Sequence, residues 1–230
     1  MLFRSALDED QLATLVMGFR NKAPAVFPVV AVAAATGARR NEVLALRWSD
    51  LDPEKRTLRI ERAWEPTKAH GLRLKAPKTE RGRRTIDLDA GTVAMLVAHR
   101  EKYLRVLAGV SEGTDVDLSL IRLPQDALIF PANPVGDNDI DFAKPRDPRN
   151  TTKDFRSIAS KLGFPDFWFH NLRHTHATHL LDRGVSVHRV AHRIGEDAAT
   201  LLKVYAKLTR KKNDAMQDAV NALGTNILAP

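Results

Sequence analysis

The sequence contains no cysteine, two tyrosines and only 6% aromatic residues. Without cysteine there is neither a disulfide nor a thiolate metal site, which fits an intracellular, cytoplasmic protein. The most apolar run, Pro24 to Ala35, is too short to span a bilayer and contains Pro28. The residues after Met1 lack a basic segment followed by an apolar one, so no signal peptide is expected. There is no internal repeat and no low-complexity tract. Acidic residues are the minority charge: 28 Asp+Glu stand against 36 Lys+Arg, a net charge of +8. That balance favours a polyanionic partner, nucleic acid before anionic membrane, although charge alone is weak evidence.

At 230 residues the chain accommodates one or two domains with a real core. Asp8 to Arg20 has Leu12, Leu15, Val16 and Phe19 at helical spacing, with Asp8 as cap. Pro24 is expected to open a second helix that Gly37 ends, and Asn41 to Arg47 a third. The period then changes to two. Thr57–Arg62, Leu72–Lys75 and Arg84–Leu88 read as three strands of one small antiparallel sheet, with the basic segment Lys78–Arg83 between the last two. Helices return at 91–107, 151–162, 170–182, 187–194, 198–208 and 213–223. The segments 110–126 and 131–149 read as loops, the second proline-rich and mobile. The class is α+β: mostly helical, with a small three-stranded antiparallel sheet near the N-terminal third. Trp48 and Trp168 are expected in the core.

Chemistry concentrates between His170 and Tyr205. In His170-Asn171-Leu172-Arg173-His174, the two histidines and Arg173 share one helical face. Arg173 can grip a phosphate through two parallel hydrogen bonds, His170 can move a proton, and Tyr205 can act as a nucleophile. Tyr103, the other tyrosine, lies in a plain amphipathic helix with no phosphate motif nearby. His170 and His174 also have the spacing of a zinc-binding helix. Against that reading, no Glu follows His170, and Arg173 would set a cation beside the metal.

A second motif, Thr36-Gly37-Ala38-Arg39 with Glu42, Leu46, Trp48 and Asp50, has the form T-G-x-R-x-x-E-x-x-x-L-x-W-x-D. With His170-Asn171-Leu172-Arg173-His174 and Ala177-Thr178 as H-x-L-R-H-x-x-A-T, it resembles the tyrosine recombinase (phage integrase) family over about Leu7 to Leu208. The resemblance implies a catalytic domain over 1–208 and a C-terminal tail helix over 209–230 that is either exchanged between protomers or folded back on its own domain. It further implies a site-specific recombinase that cleaves and rejoins double-stranded DNA through a 3′-phosphotyrosyl intermediate, as a tetramer on DNA, with no cofactor and no metal. Arg39 then matches the first catalytic arginine and Glu42 its support. Lys78 matches the hairpin lysine, with Lys75 a weaker candidate. His170 and Arg173 match the second-box pair, and Tyr205 the nucleophile.

Glu196 departs from the pattern. The family usually has His or Trp nine residues before the tyrosine, and a carboxylate there repels a phosphate unless it is protonated or paired. A weakened active site is expected, with His192 as a possible substitute donor. The alternatives are a DNA-binding module whose catalysis has decayed, a type IB topoisomerase-like relaxing enzyme and, more distantly, a metal-dependent hydrolase. The basic residues Lys207, Arg210, Lys211 and Lys212 read as a solvated face or a backbone contact. Because the chain begins near the first catalytic-domain helix, a catalytic fragment or short relative, monomeric in solution, is expected.

Overall fold

The computed structural model describes residues 6–67, 71–75, 82–134 and 140–209, with side chains described as far as Val204. It is mostly helical with small antiparallel sheets, as the α+β class requires. Helix α1 (Glu9–Lys22) starts where its cap predicts. Asp8 Oδ1 accepts from the Gln11 amide at 2.8 Å and Gln11 Oε1 accepts from the Asp8 amide at 3.1 Å, satisfying two orphan donors. Helix α2 (Phe27–Thr36) is opened by Pro28, not by the expected Pro24, which lies in a turn. It ends at Gly37, whose φ of 64° is left-handed.

Helix α3 (Arg40–Val43) is shorter than its sequence pattern. Tertiary pairing overrides it: Ile129 N donates to Leu46 O at 2.8 Å and Trp48 N to Ala127 O at 3.1 Å, drawing the chain into an extended path.

The strands divide differently from expectation. Strands β1 (Leu51–Asp52), β2 (Thr57–Ile60) and β5 (Arg84–Asp87) form one antiparallel sheet with β2 central. Strand β4 (Gly71–Lys75) pairs instead with β3 (Ala63–Thr67) in a separate hairpin. Pro66 and the absence of alternation hid β3 in the sequence, and β4 pairs with its neighbour in the chain. Across the hairpin Glu65 binds Arg73 at 2.9 Å and Lys75 at 2.5 Å. Trp64 Nε1 donates to Leu44 O at 2.9 Å and Asn41 Nδ2 to Trp64 O at 2.8 Å, which fastens the hairpin beside α3.

Helix α4 spans Ala90–Ala108, and α5 (Pro148–Lys161) begins earlier than expected because Asp147 caps it and Pro148 fits its first turn. The described part of the proline-rich segment is packed down. Ala132 N donates to Lys144 O at 2.7 Å and Phe142 is buried. Helices α6 (Phe169–Asp182), α7 (Val187–Ile194) and α8 (Ala198–Thr209) follow. The tail helix read over 213–223 lies outside the described residues.

Two apolar clusters hold these elements. The larger joins α1, α2, α5, α6 and the inner sheet face through Leu15, Phe19, Val30, Leu58, Phe155 and Leu172. Phe19 stacks on Phe155 with ring centroids 5.1 Å apart. The smaller joins α6, α7 and α8 through Ala177, Val190, Ile194 and Leu201. Trp48 is in the core as expected, but Trp168 is 43% exposed at the N-terminal boundary of α6. Its indole carries the Arg156 guanidinium 4.2 Å above the ring. Among the described residues no helix is long and apolar enough to cross a membrane.

Trp64→Phe keeps the aromatic packing and leaves the buried Leu44 carbonyl without its indole donor. Urea unfolding is expected to show a loss of about 1–3 kcal/mol. Unchanged stability would contradict the anchoring.

Candidate active site

Four elements bring three arginines to one wall. Arg39 stands at the N-terminal boundary of α3, Arg84 on β5 and Arg173 on α6, while the C-terminal end of α7 closes the group. Clustered cations repel, so each must find compensation. Glu42 supplies it to two of them. Its Oε1 accepts from Arg39 Nη1 at 3.1 Å and its Oε2 from the Arg39 amide at 2.8 Å. Arg84, buried on the inward register of β5, grips both Glu42 oxygens at 3.2 and 2.8 Å. Burial alone would raise the Glu42 carboxyl, but hydrogen bonds and charge from Arg84, then Arg39, hold it below the usual carboxylate range.

The end of α7 provides acceptors. Helical C-terminal carbonyls lack intrahelical donors and carry partial negative charge. Arg173 Nη1 donates to Ile194 O and, at 3.0 Å, to Gly37 O; Arg39 Nη2 donates to Gly195 O at 2.9 Å. Arg84 Nε donates to Arg193 O at 2.8 Å. Gly195 makes this turn with φ 67°, and a Cβ there would lie 2.7 Å from Arg84 Nη1.

Glu196 follows directly, and its Oε2 accepts from Arg39 Nη2 at 2.9 Å and from Arg173 Nη2 at 3.0 Å. Of the two ways in which a carboxylate could be tolerated here, protonation or pairing, the structure shows pairing, with both motif arginines. Burial would raise its pKa, but the Arg39 and Arg173 charges outweigh that and lower it. Asp197 then caps α8, its Oδ2 accepting from the Ala199 and Thr200 amides at 3.0 and 3.2 Å. The turn bearing Glu196 is thus clamped between two helix ends.

His170 lies on the first turn of α6, exposed to a cleft of about 340 Å³ that Arg39 and Arg173 also line. Burial of its inner edge, then the charges of His174, Arg173 and Arg39, push its pKa down to about 4. It is neutral near pH 7 and able to accept a proton. The His174 ring meets it edge-on, with centroids 4.6 Å apart. Arg173 is buried, and that burial with the Arg39 charge lowers its pKa to about 10, so it stays cationic.

Arg39, His170, Arg173 and Glu196 are therefore brought together. Tyr205 is on α8, with its side chain outside the described residues, and Lys78 lies wholly outside them. The weaker candidate Lys75 is tied to Glu65. His192 is exposed and lines a separate cleft with His188 and Arg189. Sequence reasoning missed Arg84. The signal was available, since residues 84, 86 and 88 share the apolar face of their strand and a charge there needs a buried partner.

Behind the site, His176 Nδ1 donates to Ala34 O at 3.0 Å and its Nε2 accepts from Arg193 Nε at 3.0 Å. A second proton would face a guanidinium N–H, and burial followed by the Arg193 charge lowers its pKa to about 4 from 6.5. Between those values the unfolded chain binds more protons, so stability is present above about pH 6.5 and is lost as pH falls toward 4. We expect the melting temperature to drop by about 5 °C over that window, and less in His176→Gln. An equal drop in both would contradict the assignment. Gly195→Ala is expected to cost at least about 2 kcal/mol in urea unfolding from left-handed strain and the Arg84 clash; wild-type stability would refute that constraint.

Comparison with known proteins agrees with the motifs. The profile described as "Phage integrase family" matches residues 6–212. The chain is 25% identical to a protein named "Tyrosine recombinase XerC-like" from Caldanaerobacter subterraneus subsp. tengcongensis, covering 84% of this chain and 48% of that one. It is 26% identical to an "Integrase" from Saccharopolyspora erythraea, covering 85% and 53%. The chain thus spans about half the length of the curated relatives it matches. Its fold is shared with the Tn1549 transposon integrase solved in complex with transposon right end DNA, with TM-score 0.65, 17% identity and coverage of 95% of this chain and 67% of that one. With the profile matching nearly its whole length, this chain belongs to the phage integrase family.

Proposed function

We propose that this chain is the catalytic portion of a site-specific tyrosine recombinase acting on double-stranded DNA. One observation carries the reading: Arg39 and Arg173, distant in sequence, aim N–H groups at a single anionic oxygen, with neutral His170 on the same cleft. That is the arrangement a phosphodiester needs. Attack on phosphorus adds negative charge, and two guanidiniums can neutralise it without a metal. In this reading the Tyr205 hydroxyl attacks phosphorus and loses its proton to His170. The bond from phosphorus to the 5′-oxygen breaks, Lys78 protonates the departing oxygen, and a 3′-phosphotyrosyl link remains. Reversal on a different strand completes exchange, for which self-association as a tetramer on DNA is proposed.

A second reading, a DNA-binding module with weakened catalysis, is favoured by Glu196. Arg39, Arg84 and Arg173 contribute three positive charges, and Glu42 and Glu196 remove two, leaving +1. A phosphodiester is monoanionic before attack and dianionic in its transition state. Glu196 takes donors that the phosphate would use, and DNA must displace it.

The test is covalent capture of nicked DNA carrying the cognate recombination site, on a denaturing gel. Wild type is expected to give a shifted band that Tyr205→Phe lacks. DNA binding without a band from either would favour the second reading. Glu196→His and Glu196→Gln are expected to raise capture about fivefold, a modest factor because the carboxylate is 31% exposed. A clear loss of capture in both would show that Glu196 assists the chemistry instead of competing with it.

A further inference from the structure

The cleft that holds the motif residues continues past them. Arg39, His170 and Arg173 line one part of it, and Arg40, Thr152 and Trp168 line the rest. Arg40 follows Arg39 in the chain, yet it reaches the other way. Its Nε donates to Asn41 Oδ1 at 3.0 Å and its Nη1 to Thr152 Oγ1 on α5. Arg39, Arg84 and Arg173 each bind a carboxylate, whereas Arg40 has none within ion-pair distance among the described residues. Burial lowers its pKa, and the nearest compensation is the more distant charge of Asp147. A half-buried guanidinium held in place by a hydroxyl and an amide keeps donors with which it can bind an anion.

Trp168 stands across the same cleft, two residues before His170. It offers 43% of its surface to solvent at a position where a small polar helix cap would serve α6 better. Arg156 lies over its ring and adds a second cation to this end.

We propose that Arg40, backed by Thr152, and Trp168, backed by Arg156, hold the nucleotide next to the scissile phosphate on the same strand. Arg40 takes the neighbouring, non-reacting phosphate, and the indole packs on the attached sugar. Both are positioning residues. One is a chain neighbour of Arg39 and the other is close to His170, so seating the flanking nucleotide fixes the register of the phosphate offered to the motif arginines. The inference rests on the recombinase reading above, because it presumes which phosphate reacts.

Binding of a 30-base-pair DNA duplex, followed by fluorescence anisotropy across a salt series, separates the two claims. Arg40→Gln is expected to reduce the slope of log affinity against log salt by about 0.9, the signature of one lost phosphate contact. Trp168→Ala, at a position 43% exposed, is expected to weaken binding about fivefold or more with the slope and the melting temperature unchanged. A merely structural role for Arg40 would not alter the slope selectively. A wild-type slope in Arg40→Gln, or wild-type affinity in Trp168→Ala, overturns the subsite. If wild type binds duplex and both variants behave as expected, but Tyr205 captures no DNA, the recombinase reading fails and Arg40 and Trp168 remain DNA contacts, while their placement beside a reacting phosphate is overturned. Absence of duplex binding by wild type overturns both.

Discussion

Mutual repulsion among three guanidiniums is the constraint on which the site is built. Arg39, Arg84 and Arg173 come from α3, β5 and α6, and no two would share a wall without acceptors between them. Glu42 binds Arg39 and Arg84, Glu196 binds Arg39 and Arg173, and the last carbonyls of α7 accept from all three. These contacts bridge the larger core and the smaller α6–α8 cluster, so the electrostatics of the site and the docking of its helices are one arrangement. Gly195 is part of it for two separate reasons, a left-handed backbone and the space that Arg84 occupies.

The same arrangement explains the place of Glu196. A carboxylate at the mouth of an anion site is unfavourable when isolated, but here it rests between two cations and is held ionised by them. Its oxygen stands where a phosphate oxygen would gain most from the same two N–H groups. The site is thus self-paired, and under the proposed recombinase reading a DNA phosphate has to displace Glu196. Partial exposure keeps the contact modest, so exchange of one anion for another is affordable.

Much of this was legible in the sequence, where local rules and tertiary demands agree. The Asp8 cap, the left-handed stop at Gly37 and the helices around His170 and Val187 all follow from short-range chemistry. The two motifs brought Arg39, Glu42, His170 and Arg173 into one expected site. Strand β3 was hidden because Pro66 breaks its pattern, and its absence misassigned β4 to the wrong sheet. Helix α3 stops early because Leu46 and Trp48 pair with a segment some eighty residues later in the chain. Trp168 was misread because large aromatics usually serve the core, and only the three-dimensional arrangement shows it facing the cleft. The partners of Glu196 lie 157 and 23 residues away, beyond any local pattern.

The central claim is that Glu196 and a phosphate compete for one seat between Arg39 and Arg173. Calorimetric titration of inorganic phosphate into wild type and into Glu196→Gln at low ionic strength tests it without requiring a known DNA site. The account predicts that the variant binds phosphate at least about fivefold more tightly, and that Arg173→Gln in the same background removes the gain. Equal or weaker binding by Glu196→Gln would contradict it.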